Sequence, residues 1–228
     1  MIRTVHVFRA VLVACSMLMT ASGAVLAQDE RILNWHSDIA VNSDGSLDVR
    51  ETITVRATGN QIKRGIFRDF PTTYRTWTGM RVTLPFNVRE VLRDGRPEPF
   101  HTEEMSNGVR VYIGESNVFL DSGEHTYTLV YTTDRQLGYY DDFDELYWNV
   151  NGNGWDFPID ELRATVRLPR AVERSQLQLD AFIGQQGSKK QAHEASVRST
   201  GEIEFTAMRP LQHREGLTIV VGFPKGLV

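Results

Sequence analysis

The segment Tyr139–Ile159, YYDDFDELYWNVNGNGWDFPI, shows most directly how this chain folds. It is rich in aromatic residues. Its apolar residues Leu146, Trp148 and Val150 alternate with Glu145, Tyr147 and Asn149. This period of two is typical of a β-strand with one buried face. The two Asn-Gly pairs at 151–154 favour a tight reversal. The segment therefore predicts a β-hairpin whose second arm follows Gly154.

The same period continues on both sides of this segment. Leu47–Arg56 alternates strictly, and only Glu51 interrupts its apolar face, so we expect Glu51 to pair with a buried cation. Asn42–Gly45 is a turn signal, and together with the preceding Ile32–Val41 it predicts a first hairpin. Alternating or apolar runs predict further strands at 80–85, 88–92, 109–114, 124–133, 162–169, 175–183, 195–198, 201–207 and 217–223.

Helical periodicity does not extend beyond about ten residues anywhere after the N-terminal segment. The predicted strands end at Gly, Pro, Asn or Asp residues, which favour turns. The sequence therefore predicts an all-β, antiparallel β-sandwich-like fold. It leaves open whether this is one β domain or two packed β subdomains divided near 158–163.

The first 27 residues have the pattern of a secretory signal. Two cations, Arg3 and Arg9, precede an apolar run, and Val25-Leu26-Ala27 leaves small residues where a signal peptidase cleaves. We therefore expect a signal peptide at 1–27 and an extracytoplasmic β domain at 28–228. The alternatives are a retained anchor or, because Leu12-Val13-Ala14-Cys15 resembles a lipoprotein cleavage box, a lipid on Cys15.

Composition excludes some partners and some chemistry. Without Arg3 and Arg9, the 25 cations become 23 against 29 acids, a net charge of −6 that argues against binding nucleic acid. The only cysteine is Cys15, so the exported part has no disulfide and no thiol nucleophile. The histidines after residue 27 lack the spacings of metal sites, and no nucleotide-binding motif is present. We predict no cofactor and no metal.

A cluster of acids is the one group suited to catalysis. Asp141, Asp142, Asp144 and Glu145 could supply the two carboxylates that glycoside hydrolysis needs, or oxygen ligands for calcium. Acids so close in sequence are more often a solvated loop, so we predict no catalytic residues. A carboxylate-dependent hydrolase acting on the cell wall remains the enzymatic alternative.

A second segment, Arg64–Pro71, interleaves cations with aromatic residues. Two arginines, Arg64 and Arg68, beside Phe67 and Phe70 could hold an anion or an extended peptide. Arg64, Phe67, Arg68 and Asp69 are therefore candidate binding residues. The structural alternative, which we favour, places Phe67 and Phe70 in the core and Arg68 against an acid or an aromatic ring.

Several separated motifs resemble one known family, the YciQ-like predicted membrane proteins with domain of unknown function 2207. The motifs are the Asp44-Gly45 turn, Val49-Arg50-Glu51, RGIFRD at 64–69, DELYWNVNG at 144–152, Trp155, and GLTIVVGFPKG at 216–226. The resemblance implies a signal peptide, an extracytoplasmic β domain and then transmembrane helices. It implies no catalytic residues. This chain ends at Val228, so membrane association is expected only if a downstream transmembrane region is missing from it.

We expect, from these observations, a non-catalytic module on the outer face of a bacterial cytoplasmic membrane that binds or senses an envelope protein or a glycan. The alternatives are the cell-wall enzyme and a structural scaffold for a membrane complex. Aromatic faces can stack on sugar rings, whereas buried tryptophans more often anchor a core. The candidate binding residues are Arg64, Phe67, Arg68, Asp69, Tyr139, Tyr140, Asp144, Glu145, Tyr147, Trp148 and Trp155.

Overall fold

The computed structural model describes residues 29–75 and 78–228, and the regular secondary structure of these residues is almost entirely β-strand, with one 3-10 turn at Arg174–Gln176. The predicted signal peptide and Cys15 lie outside the described residues. The predicted all-β, sandwich-like fold is confirmed. The strands are β1 (Arg31–Val41), β2 (Leu47–Ala57), β3 (Ile66–Pro71), β4 (Thr73–Arg75), β5 (Arg81–Thr83), β6 (Phe86–Arg93), β7 (Arg96–Pro97), β8 (Phe100–Met105), β9 (Gly108–Ile113), β10 (Gly123–Thr133), β11 (Leu137–Tyr139), β12 (Phe143–Asn149), β13 (Ile159–Arg167), β14 (Gln178–Gly184), β15 (His193–Val197), β16 (Ile203–Ala207) and β17 (Gly216–Pro224).

The largest sheet has eight strands in the order β15-β16-β13-β1-β2-β10-β6-β7. Its centre contains the predicted first hairpin, in which Val41 of β1 lies opposite Leu47 of β2. Gly45 closes this hairpin with a positive φ of 83°, a conformation that glycine adopts without strain. The pairing of β13 with β1 is parallel, although the neighbouring pairs are antiparallel. A parallel neighbour requires the chain to cross over before β13.

Three smaller sheets complete the structure. A four-stranded sheet has the order β11-β12-β17-β14, a three-stranded sheet the order β3-β9-β8, and β4 pairs with β5. Buried residues from the three larger sheets, including residues on both sides of 158–163, belong to a single hydrophobic cluster. The sheets therefore share one core.

The segment Tyr139–Ile159 follows its predicted alternation but not its predicted pairing. Leu146, Trp148 and Val150 are buried, as expected. The prediction that this segment forms a hairpin with its second arm after Gly154 is wrong. The strand β12 pairs with β11 and β17, whereas residue 159 begins β13 in the eight-stranded sheet. The buried Asn151 side chain explains the difference: its Nδ2 donates to the Glu215 carbonyl, and its Oδ1 accepts from the Leu217 N–H. These bonds hold the NVNG turn against β17 while the chain crosses between sheets.

Glu51 and Arg68 form an ion pair inside the core. Two hydrogen bonds of 2.9 Å join the guanidinium to the carboxylate, and the side chains are 0% and 4% exposed. The Tyr131 hydroxyl donates to Glu51 at 3.0 Å, and Arg68 also donates to the Val150 carbonyl at 3.1 Å. The prediction that Glu51 pairs with a buried cation is confirmed.

The network perturbs the ionisation of its members. Burial alone would lower the pKa of Arg68, but the facing Glu51 carboxylate raises it above the ordinary value. Burial, and then the neighbouring Glu51 charge, raises the pKa of Tyr131 well above its ordinary value. Arg68 therefore stays charged and Tyr131 stays a hydrogen-bond donor at physiological pH.

Glu30 anchors the start of the described chain. Its carboxylate accepts hydrogen bonds from the backbone N–H groups of Thr58, Asn60, Gln61 and Ile62, at 2.6 to 3.1 Å. Burial would raise the pKa of Glu30, but these four donors lower it below the ordinary value. The carboxylate thus joins the beginning of β1 to the loop after β2.

Arg68→Met tests the buried ion pair. It leaves the Glu51 charge in the core without a partner, so we expect the free energy of unfolding to fall by about 3 to 5 kcal/mol in urea titrations. Arg50→Met is the matched control, because Arg50 precedes Glu51 on β2 and its pair with Glu90 is about half exposed. The control should cost less than about 1 kcal/mol. Equal losses in the two variants would contradict a special role for the buried pair.

Glu30→Gln tests the carboxylate that caps the loop. Because folding lowers the pKa of Glu30, its stabilisation is present above the unfolded-state pKa of about 4.3 and is lost as the pH falls through the folded-state value. At pH 7 we expect the variant to be less stable by about 1 kcal/mol, since the site is partly exposed to water. The difference from the parent should vanish near pH 2 to 3. Asp29→Asn, at an exposed neighbour, should show neither effect.

Candidate functional site

A groove of about 980 Å³ opens at one end of the four-stranded sheet. At this end β12 and β14 finish while β11 and β17 begin. Its volume lies at the upper end of the range typical of small-molecule sites. The groove is therefore large enough to be the binding site of the domain.

The outward face of the four-stranded sheet forms the floor. Asn149, Thr218 and Phe182 occupy one register position on β12, β17 and β14, and all three line the groove. Tyr147 lies two residues before Asn149 on the same face, and its side chain is 59% exposed. The floor thus presents an uncovered aromatic ring beside polar side chains.

The opposite wall comes from the end of β3 and from β4. It includes Pro71, Thr72 and Tyr74, and the ring of Tyr74 is 44% exposed. The Tyr74 hydroxyl donates to the Pro71 carbonyl at 2.8 Å, and burial raises the pKa of Tyr74 above its ordinary value. Two exposed tyrosines, one on the wall and one on the floor, therefore line the same groove.

A packed aromatic cluster forms part of the groove's lining. The ring centroids of Phe70, Phe86 and Tyr131 lie 4.4 to 5.0 Å from one another. The guanidinium of Arg68 lies 4.4 Å from the centroid of Phe70 and 5.1 Å from that of Trp35. Side chains this tightly packed hold the lining in place without rearrangement.

Amide side chains fix one end of the groove. Asn149 donates to Asn153 at 2.7 Å, and Asn153 donates to the Gly184 carbonyl at 3.1 Å. Gly152, with a φ of 75°, donates its N–H to Asn149, and a Cβ there would lie 3.0 Å from an Arg68 nitrogen. The NVNGN sequence therefore builds the corner that joins the groove to the loop after β14.

Only part of the predicted binding set reaches the groove. Arg68, Tyr147 and Trp148 line it, although Trp148 is turned inward and is only 8% exposed. Arg68 is held by Glu51, as the structural alternative predicted. Of the three, Tyr147 alone exposes its side chain broadly.

The other candidates from 64–69 lie on a different surface. Phe67 and Asp69 project from the outward face of the three-stranded sheet, where Arg110 stacks on Phe67 at 3.9 Å and pairs with Asp69. Placing Phe67 in the core was wrong, because it is 42% exposed. Residues alternate across a strand, so Phe67 cannot share the inward face of Phe70, three positions away. The Arg64 guanidinium lies 4.2 Å from the ring centroid of the exposed Phe119.

The remaining candidates lie near the start of β12 or in the core. Asp144 is buried and accepts a hydrogen bond from Lys225 at 2.6 Å, and Lys225 also lies over the ring of Tyr139. Tyr140 stacks on Phe143 at 4.8 Å. None of the acids at 141–145 lines the groove.

Trp155 packs edge-on against Trp35 with a centroid distance of 5.2 Å, and its Nε1 donates to the Asn151 carbonyl at 2.8 Å. It is therefore a support of the NVNG corner, in line with the structural alternative for the tryptophans.

Sequence reasoning missed most of the lining. Tyr74, Phe182, Arg135, Gln136 and the loop 184–189 all contribute to the groove. The polar composition of 184–191 marks it as a loop in the sequence. Tyr74 lies more than a hundred residues earlier in the chain. The pairing of distant strands brings the loop and Tyr74 together, and no local sequence pattern indicates that pairing.

The described part of the chain contains neither a cluster of metal-ligating side chains nor a membrane-spanning helix. No cluster of three or more His, Cys, Asp or Glu side chains in 29–75 and 78–228 is suited to hold a metal ion. Within the same ranges, no helix has the length and apolar character needed to cross a membrane.

Comparison with known proteins identifies relatives over most of the chain. The family model described as "Predicted membrane protein (DUF2207) N-terminal domain" matches residues 31–223. An uncharacterized Escherichia coli protein, YciQ, is 28% identical over 200 residues, which cover 88% of this chain and 31% of YciQ. The chain thus spans about a third of the length of this curated relative.

The fold also resembles part of a solved enzyme. Native leukotriene A4 hydrolase from Saccharomyces cerevisiae superposes with a TM-score of 0.53 at 12% identity, over 85% of this chain and 29% of the enzyme. The yeast enzyme in complex with bestatin gives 0.54 at 13% identity, over 84% and 28%. At such identity the likeness concerns the fold alone.

Asn151→Ala tests the corner that shapes the groove. It removes the acceptor of the buried Leu217 N–H and the donor to Glu215, so we expect the free energy of unfolding to fall by about 2 to 3 kcal/mol. Asn117→Ala, at an exposed loop position, serves as the control and should be neutral within about 0.5 kcal/mol. A neutral Asn151→Ala variant in urea titrations would contradict the role given to the corner.

Proposed function

Since this chain belongs to the family of predicted membrane proteins that share the DUF2207 N-terminal domain, we propose that it is the ligand-binding, non-catalytic domain of an envelope membrane protein. In this proposal the domain lies on the extracytoplasmic side and holds an envelope glycan in its groove. The observation that carries the proposal is the pair of exposed tyrosines, Tyr74 and Tyr147, which line one groove about 980 Å³ in volume.

The groove has the composition of a saccharide site. Aromatic faces offer flat apolar area to sugar rings, and amide side chains pair with hydroxyl groups in either hydrogen-bonding sense. Gln136, Gln185 and Gln186 line the groove, and no hydrogen bond within the described residues engages the side chains of Gln185 and Gln186. A large, preformed and largely uncharged floor suits a segment of polymer better than a small ion.

The positions of the acids support a binding role over hydrolysis. Glycoside hydrolysis needs two carboxylates that flank the scissile bond. Among the residues that the structure describes, no Asp or Glu lines the groove, and Asp144, the buried member of the acidic cluster, is paired with Lys225. The proposed exported location rests on the signal-like sequence at 1–27, and the proposed membrane association rests on the family description.

Tyr147→Ala tests the proposal in pull-down and calorimetric measurements with peptidoglycan and with purified envelope polysaccharides. Loss of one stacking ring should weaken binding about five- to tenfold. Tyr139→Ala is the matched control, since Tyr139 is equally exposed at 60% but lies outside the groove, and it should bind as the parent does.

Three results would contradict the proposed function. The first is that no envelope saccharide binds, and the second is that Tyr147→Ala binds as tightly as Tyr139→Ala and the parent do. The third is turnover of a bound saccharide that disappears on Asp141→Asn, Asp142→Asn or Glu145→Gln substitution, which would favour the enzymatic alternative.

A further inference from the structure

The charges around the groove point to a more specific ligand. We propose that the groove binds an acidic glycan, whose carboxylate groups pair with Arg135 at one edge and Lys189 at the other. This inference rests on the proposed function, because it specifies the class of saccharide that the same groove holds.

The lining is electropositive in an acidic protein. The chain has 29 acids against 25 cations, yet within 29–75 and 78–228 no Asp or Glu lines the groove, whereas Arg68, Arg135 and Lys189 do. Arg68 is neutralised by Glu51. The net charge available to a ligand therefore comes from Arg135 and Lys189.

Both of these cations are exposed and lack an ion-pair partner. Among residues 29–75 and 78–228, no acid lies within ion-pair distance of either side chain, whereas most other arginines of the chain are paired. Asp134 accepts a hydrogen bond from the backbone N–H of Arg135 and so helps to fix the loop. Cations without ion-pair partners attract anions into a groove that is lined by charges of one sign.

The sheet places the two cations on opposite sides of the tyrosine floor. Arg135 precedes β11, and Lys189 follows β14, which are the two edge strands of the four-stranded sheet. Three strand spacings separate β11 from β14, so these two edge strands lie roughly 14 Å apart across the floor. A ligand that reaches both cations must cross Tyr147 and Thr218, and it therefore needs to be an extended chain with repeated charges.

A glycan fits this arrangement better than an acidic peptide does. A peptide commonly binds by adding a strand to an open sheet edge. Along β14, two backbone N–H groups that an added strand would need are already engaged. The Ile183 N–H donates to the Lys190 carbonyl, and the Ala181 N–H donates to the Asp180 carboxylate. The groove crosses the face of the sheet, where rings stack flat on the tyrosines. Asp180 lies outside the lining and accepts a hydrogen bond from Gln191.

The test measures binding of three probes to the purified protein at low salt: a hexamer of galacturonate, the neutral maltohexaose, and hexaglutamate. We expect the galacturonate hexamer to bind at least tenfold more tightly than either other probe. Its affinity should fall as sodium chloride rises from 20 to 300 mM, because exposed charge pairs are screened.

Arg135→Gln and Lys189→Gln should each weaken galacturonate binding about three- to tenfold and reduce its salt dependence. Arg89→Gln is the control, because Arg89 is an exposed cation on β6 outside the groove. Urea titrations of all three variants establish that each remains folded.

The possible failures are distinguishable. If maltohexaose binds as tightly as galacturonate and the charge variants are silent, the acidic-glycan inference is wrong while the proposed saccharide function stands. If hexaglutamate binds most tightly, the ligand is an acidic peptide and both proposals fail. Loss of affinity in Arg89→Gln equal to that in Arg135→Gln would show nonspecific charge attraction and overturn the inference.

Discussion

The buried ion pair between Glu51 and Arg68 is the constraint on which the rest of this structure depends. Removing two charges from water costs several kcal/mol per ion, so the pair is stable only with close geometry and further hydrogen bonds. Two 2.9 Å bonds, the Tyr131 hydroxyl and the Val150 carbonyl meet that requirement. These groups belong to β2 and β10 of the eight-stranded sheet, to β3 of the three-stranded sheet, and to the chain that follows β12 of the four-stranded sheet. The hydrogen bonds of the ion pair therefore hold the three sheets in position relative to one another.

This arrangement also determines what the groove can offer a ligand. Arg68 lies in the lining, but its charge is already satisfied, so the deep part of the groove is aromatic and electrically neutral. Charge recognition is left to Arg135 and Lys189 at the edges, and stacking is left to Tyr74 and Tyr147. In this proposal the neutral floor binds sugar rings of any kind, and the cations at the edges select those rings that carry acidic groups.

The most recognisable motif of the family, DELYWNVNG at 144–152, is largely structural. Asp144 is paired with Lys225, Trp148 is buried, and Asn151 holds the start of β17. Tyr147 alone projects its side chain broadly from the motif into the groove. The sequence that identifies the family therefore describes how the sheets are joined, while most of the groove comes from less distinctive segments.

The sequence by itself determined the all-β class, the first hairpin, the inward faces of β2 and β12, and the expectation of a cation opposite Glu51. All of these follow from period-two alternation and from the cost of burying a charge, which are local or pairwise rules. Only the tertiary structure decided that β12 pairs with β17 instead of the segment after Gly154, that β13 is parallel to β1, and that Tyr74, Phe182 and Lys189 meet at one groove. Those outcomes depend on pairing between distant strands, and a local pattern specifies which face of a strand is buried but not which strand lies beside it.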